Sequence, residues 1–346
     1  MRFYDQRHAF YCGVDLHTKR MYLCILDDEG NKRLHRNVRA KPADFLAAIH
    51  PFREDLVVGA ECMFTWYWLA DLCQKENIEF ILGHALYMKA IHGGKKKDDK
   101  LDSEKIARLM RGGTFPMSYV YPREMRATRD LVRRRMFLVR RRSELLAHVQ
   151  LLNQQYNHDP FEKSLKYAGN RDVFDRFEED SAKLNVEADL HMVGHYDRLI
   201  QQLEANLQRQ AKLHDSPACH LLRSIPGIGN ILSLVLLYEI HSIDRFPSVG
   251  DFLSYARLVT PQQTSDGKVT GHGGSKIGNV HLKWAFSESV LWMLRNSDDA
   301  KAFLKRKEKK YGKSRAMSIL SRKIARAVYH MLKRKEPFDA LRFFAS

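Results

Sequence analysis

From Arg123 to Tyr156 the chain contains neither glycine nor proline, and Leu131, Leu138, Leu145 and Leu152 recur every seven residues beside Val132, Val139 and Leu146. A seven-residue apolar period without helix breakers commits this stretch to a long helix with a coiled-coil seam. A second periodic stretch, Leu184 to Leu207, places Val186, Leu190, Val193, Ile200, Leu203 and Leu207 at helical spacing, and it is expected to pack on the first helix or to dimerise. Between them, His158 to Asp180 has turns at Asp159-Pro160 and Gly169-Asn170 and reads as a connector. A chain of 346 residues usually makes two or three domains. The expected division is an α/β domain over 1–122, a helical coiled-coil region over 123–215 and a mainly helical domain over 216–346. The first long helix also carries two arginine triplets seven residues apart, Arg133, Arg134 and Arg135, then Arg140, Arg141 and Arg142. They form either a stripe that follows a phosphate backbone or a solvated face.

Charge narrows the class of partner. Lys plus Arg number 58 against 41 Asp plus Glu, a formal charge of +17, which points to a polyanion and first of all to nucleic acid. A membrane is not expected as a partner, because no apolar run reaches the ~18 residues of a spanning helix. The N-terminal MRFYDQRHAF is polar and unlike a signal peptide. Cys12, Cys24, Cys62, Cys73 and Cys219 are odd in number, widely spaced and set among apolar neighbours, which suits reduced core thiols in a cytoplasm.

In the first third, Phe10 to Leu16, Met21 to Leu26 and Lys32 to Val38 read as three antiparallel strands, with turn residues Asp28, Glu29, Gly30 and Asn31 between the last two. Ala43 to Phe52 then reads as a helix, Leu56 to Ala60 as a buried strand, Thr65 to Lys75 as an amphipathic helix and Glu79 to Leu82 as a strand. KKKDDKLDSEKIARLM, Lys95 to Met110, supplies a closing helix. Three strands followed by helix, strand, helix, strand, helix is the order of ribonuclease H-like nucleases. Its acids fall at informative places. Asp15 lies in the first strand and Glu61 at the end of the fourth, so neighbouring strands bring them to one sheet end. Asp99 and Asp102, three apart, share a helix face. Four carboxylates converging there would hold two Mg²⁺ ions for phosphodiester chemistry, with Mn²⁺ the alternative. Salt bridges to lysines, including Lys95, Lys96, Lys97 and Lys100, are the competing account. Asp98 and Glu104 are the rival acids, and His17 is expected as a local hydrogen bonder.

In the last third, LRSIPGIGNILSLVLLYEI, Leu222 to Ile240, sets Gly227 and Gly229 between two helices. This is the pattern of a helix-hairpin-helix, whose glycine amides approach a DNA phosphate, or of a plain helix-helix turn. The glycine-rich TPQQTSDGKVTGHGGSKIGN, Thr260 to Asn279, reads as a polar loop in which Lys268 and Lys276 suit a phosphate. Thr264, Ser265 and Ser275 are equal candidates there for a nucleophile, since no base is adjacent. Basic helices over Val280 to Asn296, Asp298 to Lys310 and Ala316 to Lys335 complete the chain.

With these residues in place, the chain resembles the DEDD insertion-sequence transposases, bridge-RNA-guided serine recombinases with a RuvC-like N-terminal domain. The likeness rests on GVDLH at Gly13 to His17, GAE at Gly59 to Glu61, KDDKLDSEKIA at Lys97 to Ala107, IPGIG at Ile225 to Gly229 and SDGKVTGHGGSKIGN at Ser265 to Asn279. It implies Asp15, Glu61, Asp99 and Asp102 as the four metal-binding acids. It also implies Ser265 as the nucleophile, counting back from Gly278-Asn279. The family often has glycine after this serine where this chain has Asp266, and alanine after the last acid where this chain has Ser103. The resemblance further implies donor and target DNA, a structured noncoding RNA that pairs with both, a covalent phosphoserine and a homo-oligomer in a bacterial or archaeal cytoplasm. A Holliday-junction-type endonuclease using metal-activated water is the alternative enzyme, and a noncatalytic nucleic-acid scaffold the alternative outside enzymes.

Overall fold

The computed structural model describes residues 2–92, 98–259, 262–266, 268–272 and 277–345. The chain divides into two compact units, Met1–Arg123 and Glu124–Ser346. The long helices expected as a middle region belong to the second unit.

In the first unit, β1 (Phe3–Tyr4), β2 (Phe10–Leu16), β3 (Arg20–Asp27) and β4 (Lys32–Arg39) precede α1 (Pro42–Ile49) and β5 (Leu56–Glu61). They are followed by α2 (Tyr67–Lys75), β6 (Glu79–Gly83), α3 (Ala85–His92), α4 (Asp99–Arg111) and β7 (Phe115–Ser118). The strands make one seven-stranded sheet in the order β1-β7-β6-β5-β2-β3-β4. β2, β3 and β4 run antiparallel, whereas β5 is parallel to β2 and β6 to β5. This is the mixed RuvC-like, ribonuclease H-like sheet that the element order anticipated, with β1, β7 and α3 as additions. A two-residue and a four-residue strand are too short to show a period of two.

Alternation along β2 sets the layers. Cys12, Val14 and Leu16 enter one core with Phe45 of α1 and Leu69 of α2, while Tyr11 joins Ile106, Leu109 and Met110 of α4 on the other face. Gly13 shares the α4 face, where an added Cβ would lie 2.1 Å from the Ser103 carbonyl oxygen and 2.5 Å from the Ala107 nitrogen. Gly59 stands opposite it in register, and a Cβ there would meet Met110 Sδ at 2.4 Å. The two glycines let the α4 backbone lie directly on the sheet. Four cysteines are buried free thiols, but Cys62, just past β5, is exposed, a departure from the all-core expectation.

The second unit opens with α5 (Arg123–Gln155) and α6 (Asp180–Arg223). α6 breaks at Asp215, with φ −161° and ψ 80°, ahead of Pro217, and the Asp215 carboxylate accepts the Ala218 N–H at 2.9 Å to start the helix again. Near the far ends of the pair, Val149, Leu152, Val186 and Leu190 enclose Leu165 and Phe177, so the connector contributes its own core residues. α7 (Asn230–Ile240) is buried from Leu232 to Ile240, and within that stretch it is apolar on every face apart from Ser233, Glu239 and the hydroxyl of Tyr238, as befits a central helix. It is followed by α8 (Val249–Tyr255), β8 (Gln262–Ser265), β9 (Lys268–His272) and α9 (Val280–Asn296), then α10 (Asp298–Tyr311), α11 (Lys313–Arg334) and α12 (Ala340–Phe344). The polar loop of the last third is thus partly a hairpin: β8 pairs antiparallel with β9, Ser265 opposite Lys268. Asp266 at its turn has φ 49°, in keeping with the Asp-Gly pair that favours two-residue hairpin turns.

Candidate active site

The acid site begins with strand register. Val14 of β2 stands opposite Ala60 of β5, so Asp15 and Glu61 are the next residues on parallel neighbours and share a face. That face is the one on which Gly13 admits α4, whose first turn carries Asp99 and Asp102. Ser103, where the family often has alanine, is fully buried against the sheet, and its hydroxyl is satisfied by donating to the Lys100 carbonyl at 2.9 Å. Asp98 is the N-cap of α4, accepting the Lys100 N–H at 3.0 Å, and Glu104 is held by Lys32 at 2.7 Å and Arg108 at 2.8 Å. Both rival acids therefore have structural partners.

His17 Nε2 lies 3.3 Å from Asp15 Oδ2 and 3.5 Å from Asp99 Oδ1. The ligand atoms of Asp15, His17 and Asp99 all fall within 4.8 Å of one another, a cluster suited to a cation. His17 is the local hydrogen bonder anticipated, and it also joins both acids. Asp102 sits beside them on α4, its Oδ1 bonded to Lys105 Nζ at 2.9 Å, and Glu61 is half-buried at the end of β5. Burial raises the Asp15 carboxyl above its ordinary value; His17 opposes this, while the charges of Asp99 and Asp102 add to it. A bound divalent cation would reverse that penalty by favouring the ionised form.

Ser265 ends β8 and is exposed, and among the described residues no side chain hydrogen-bonds its hydroxyl. Lys268 is exposed at the start of β9, whereas Lys276, Ser275 and Lys95 to Lys97 lie outside the described residues. The chain just after this hairpin is firmly anchored. Asn279 caps α9 by accepting the N–H groups of His281 and Leu282, and its amide donates to Glu239 Oε2 at 2.7 Å. Gly278 has φ 96° and lies so close to Tyr255 that an added Cβ would be 2.6 Å from its carbonyl oxygen, while Arg257 donates to the Gly278 carbonyl at 2.9 Å.

Glu239 is the residue that the sequence reading missed. It is wholly buried, bridged by Arg133 through two bonds at 2.6 and 2.9 Å and by Arg129 at 2.9 Å. Burial alone would raise its carboxyl, but the bonds and charges of Arg133 and Arg129, with Asn279, bring it down to about 2. The available signal was one acid in the otherwise apolar LSLVLLYEI. This corrects the arginine stripe. Arg133 is paired with Glu239, Arg135 with Glu204 at 2.6 Å and Arg142 with Asp197 at 2.7 Å, whereas Arg134, Arg140 and Arg141 are exposed. Consecutive helix residues turn about 100° apart, so a triplet cannot share one face. Gly227 likewise has a packing role: at φ 96°, a Cβ would lie 2.4 Å from the Met293 nitrogen, whereas Gly229, the N-cap of α7, faces open space.

A mixed sheet with acids at the ends of adjacent central strands, and an acid-bearing helix laid across them, defines a ribonuclease H-like enzyme of phosphodiester chemistry. Residues 12–158 match a family model described as a transposase, the DEDD domain of the IS110 type. Residues 219–305 match one described as Transposase IS116/IS110/IS902 family. The chain is 23% identical over 343 residues to the transposase for insertion sequence element IS1111A of Coxiella burnetii, covering 94% of this chain and 90% of the relative. It is 25% identical over 299 residues to the putative transposase y4qE of Sinorhizobium fredii, covering 84% and 73%. The protein belongs to the IS116/IS110/IS902 family of transposases and is an enzyme of DNA recombination. No helix among the described residues is long and apolar enough to cross a membrane.

Proposed function

We propose that this transposase cuts and rejoins DNA through a covalent serine intermediate, with Ser265 as the nucleophile and Mg²⁺ held by Asp15, Glu61, Asp99 and Asp102. The observation that carries this is the Asp15–His17–Asp99 cluster, a mostly oxygen donor set in which the half-buried Asp15 carboxyl is costly to ionise without a cation. Hard carboxylates with a single imidazole suit Mg²⁺ or Mn²⁺ better than zinc. When bound, the ion supplies Lewis-acid polarisation of the phosphoryl group. Ser265 Oγ forms a bond to phosphorus while the bond from phosphorus to one deoxyribose oxygen breaks. The leaving oxygen takes up a proton, and the strand remains as a serine phosphodiester. Attack by a deoxyribose hydroxyl of a second strand reverses the exchange and restores the serine. No water is consumed, so each cut conserves the phosphodiester bond as a serine ester on one end and leaves a free hydroxyl on the other for rejoining.

The choice of site is assigned to base pairing by a structured noncoding bridge RNA, with the protein holding backbones and shape. A net charge of +17 suits two polyanionic partners, and the exposed Arg134, Arg140 and Lys268, with Arg141 beside Glu144, are the cations assigned to phosphates. Self-association through the helix pair is supported by the exposed Leu151 of α5 and Leu184 of α6.

The test is a denaturing gel of labelled donor and target DNA incubated with protein, bridge RNA and Mg²⁺. The expected result is a protein-linked strand with the wild type and none with Ser265→Ala or Asp15→Asn. Cleavage that persists in Ser265→Ala without an adduct assigns the attack to water, as in a Holliday-junction-type nuclease, and ends the serine proposal.

A further inference from the structure

Lys323, Arg326, His330 and Arg334 follow one another on α11 at spacings of three, four and four, so one helix face carries all four. After α11 the chain turns back, and Arg342 and Phe343 of α12, with Phe338 before it, close the same face into a cavity of about 340 Å³. The aromatic wall is fixed: the Phe338 and Phe343 ring centroids are 5.0 Å apart, and the Phe338 N–H donates to Ser224 Oγ at 2.9 Å. Lys323 Nζ lies 5.1 Å from the centre of the Phe343 ring.

These cations differ from the inward-facing arginines of α5. Arg133, Arg135 and Arg142 each have a carboxylate partner. Among the described residues, by contrast, no carboxylate forms an ion pair with Arg326, His330, Arg334 or Arg342. Of the two acids at the cavity, Asp339 accepts the backbone N–H of Arg342 as the cap of α12, and Glu336 is exposed. Burial and the charges of Arg334, Arg326 and Arg342 hold the His330 imidazole below its ordinary value. The groups repel one another and would be relieved by an anion.

We propose that this cavity binds one nucleotide of a single-stranded nucleic-acid segment, its phosphate on Arg326, Arg334 and Arg342 and its base against the wall that includes Phe338. Concavity separates this site from a duplex-tracking face: a basic hollow with an aromatic wall accepts an unstacked nucleotide, whereas a duplex presents only its phosphates. The volume falls in the range of small-molecule pockets, about 300–1,000 Å³. The inference rests on the reading of the protein as an enzyme that handles unpaired strands, but it is independent of Ser265 and of the acid site.

Binding is measured with the full chain in metal-free buffer, where strand cleavage plays no part. The probes are fluorescent oligo(dT) and oligo(rU) of about 16 nucleotides and a duplex of the same length, each titrated across salt concentrations. Arg326→Gln with Arg334→Gln replaces two exposed side chains, and a thermal melt confirms folding. Lys309→Gln with Lys310→Gln removes the same charge from exposed positions of α10 outside the cavity. The expected result for the cavity variant is about a tenfold loss of single-strand affinity and a salt slope reduced by about 1.4, two lost contacts at ~0.7 each. The control pair stays within about twofold of wild type. A preference for oligo(dT) or oligo(rU) that disappears with the cavity variant assigns the strand as DNA or RNA. Equal losses in the two variants, or an equal loss on duplex, overturns the proposal. Because the binding assay runs in metal-free buffer, without cleavage or adduct formation, failure of the serine mechanism and failure of the cavity are read separately.

Discussion

Each unit of this molecule contains one decisive carboxylate, and the two have opposite surroundings. Glu239 is completely buried but answered by Arg133, Arg129 and Asn279, and its carboxyl is driven down to about 2. Asp15 is only partly buried, yet it faces Asp99 and Asp102 with His17 as its neighbouring counter-group, and its carboxyl is driven up. Burial depth therefore does not decide which acid is strained; the partners do. Glu239 holds the fold around the end of the serine segment, whereas Asp15 is left with an unmet demand that a cation can fill.

The largest expected effect separates activity from stability. Asp15→Asn should lower strand cleavage by about a hundredfold or more, since Lewis-acid stabilisation contributes several kcal/mol. The same change should leave the denaturant midpoint of the metal-free protein unchanged or raised, because it removes a carboxylate whose ionised form is disfavoured. A marked fall in that midpoint would make Asp15 a structural ion-pair member and erase the contrast with Glu239. Glu239→Ala should do the reverse, lowering unfolding free energy by about 3 kcal/mol by removing the buried carboxylate that the partly buried Arg129 and Arg133 share. Urea denaturation reads this directly, and a loss below about 1 kcal/mol would place Glu239 among solvent-screened pairs instead.

How much of this was legible in the chain follows from the range of each interaction. Asp15, Glu61, Asp99 and Asp102 could be proposed because strand ends and helix phase are local periodicities, and the order of elements says which strands are neighbours. The two glycines under α4 were visible only as motif letters. That Gly13 and Gly59 stand side by side depends on strand pairing across more than forty positions. Glu239 was missed because its partners Arg129 and Arg133 lie more than a hundred residues earlier. The arginine triplets misled for a simpler reason: spacing of seven was counted between triplets, while the turn of about 100° within each triplet decides which members face solvent. The Asp266-Gly267 pair did carry a hairpin signal, but it was submerged in a glycine-rich polar stretch that also fits an open loop.

Smaller effects sharpen the comparison. Gly13→Ala forces a methyl against the Ser103 carbonyl and should cost about 1–3 kcal/mol while displacing Asp99 from Asp15. Weakened Mn²⁺ binding by paramagnetic resonance is the accompanying readout, and unchanged Mn²⁺ affinity in a destabilised protein would show that α4 does not position the acids. Asn279→Ala removes one bond to Glu239 and the cap of α9, and about 1–3 kcal/mol is expected by urea denaturation. Because the hairpin precedes this anchor, adduct formation should fall further than stability accounts for at temperatures where the variant is fully folded.

The smallest effects are in the pH dependence, and they carry opposite signs. The folded Glu239 carboxyl lies below its ordinary value of 4.5, so its stabilisation is complete above that value and is lost as pH falls through about 2. The folded Asp15 carboxyl lies above its ordinary 3.8, so its contribution is complete below 3.8 and disappears as pH rises through the raised value. Urea midpoints followed from acid to neutral pH should therefore lose Glu239's share of the acid-side decline in Glu239→Gln, with the shares of Asp27, Glu104 and Asp197 kept, and lose a shallower, opposite dependence in Asp15→Asn. Mg²⁺ should abolish the second dependence in the wild type and leave the first untouched, because only the Asp15 site has an unanswered charge for the ion to meet. If Mg²⁺ instead raised the midpoint equally in wild type and Asp15→Asn, the ion would be binding elsewhere and the two carboxylates would differ only in burial.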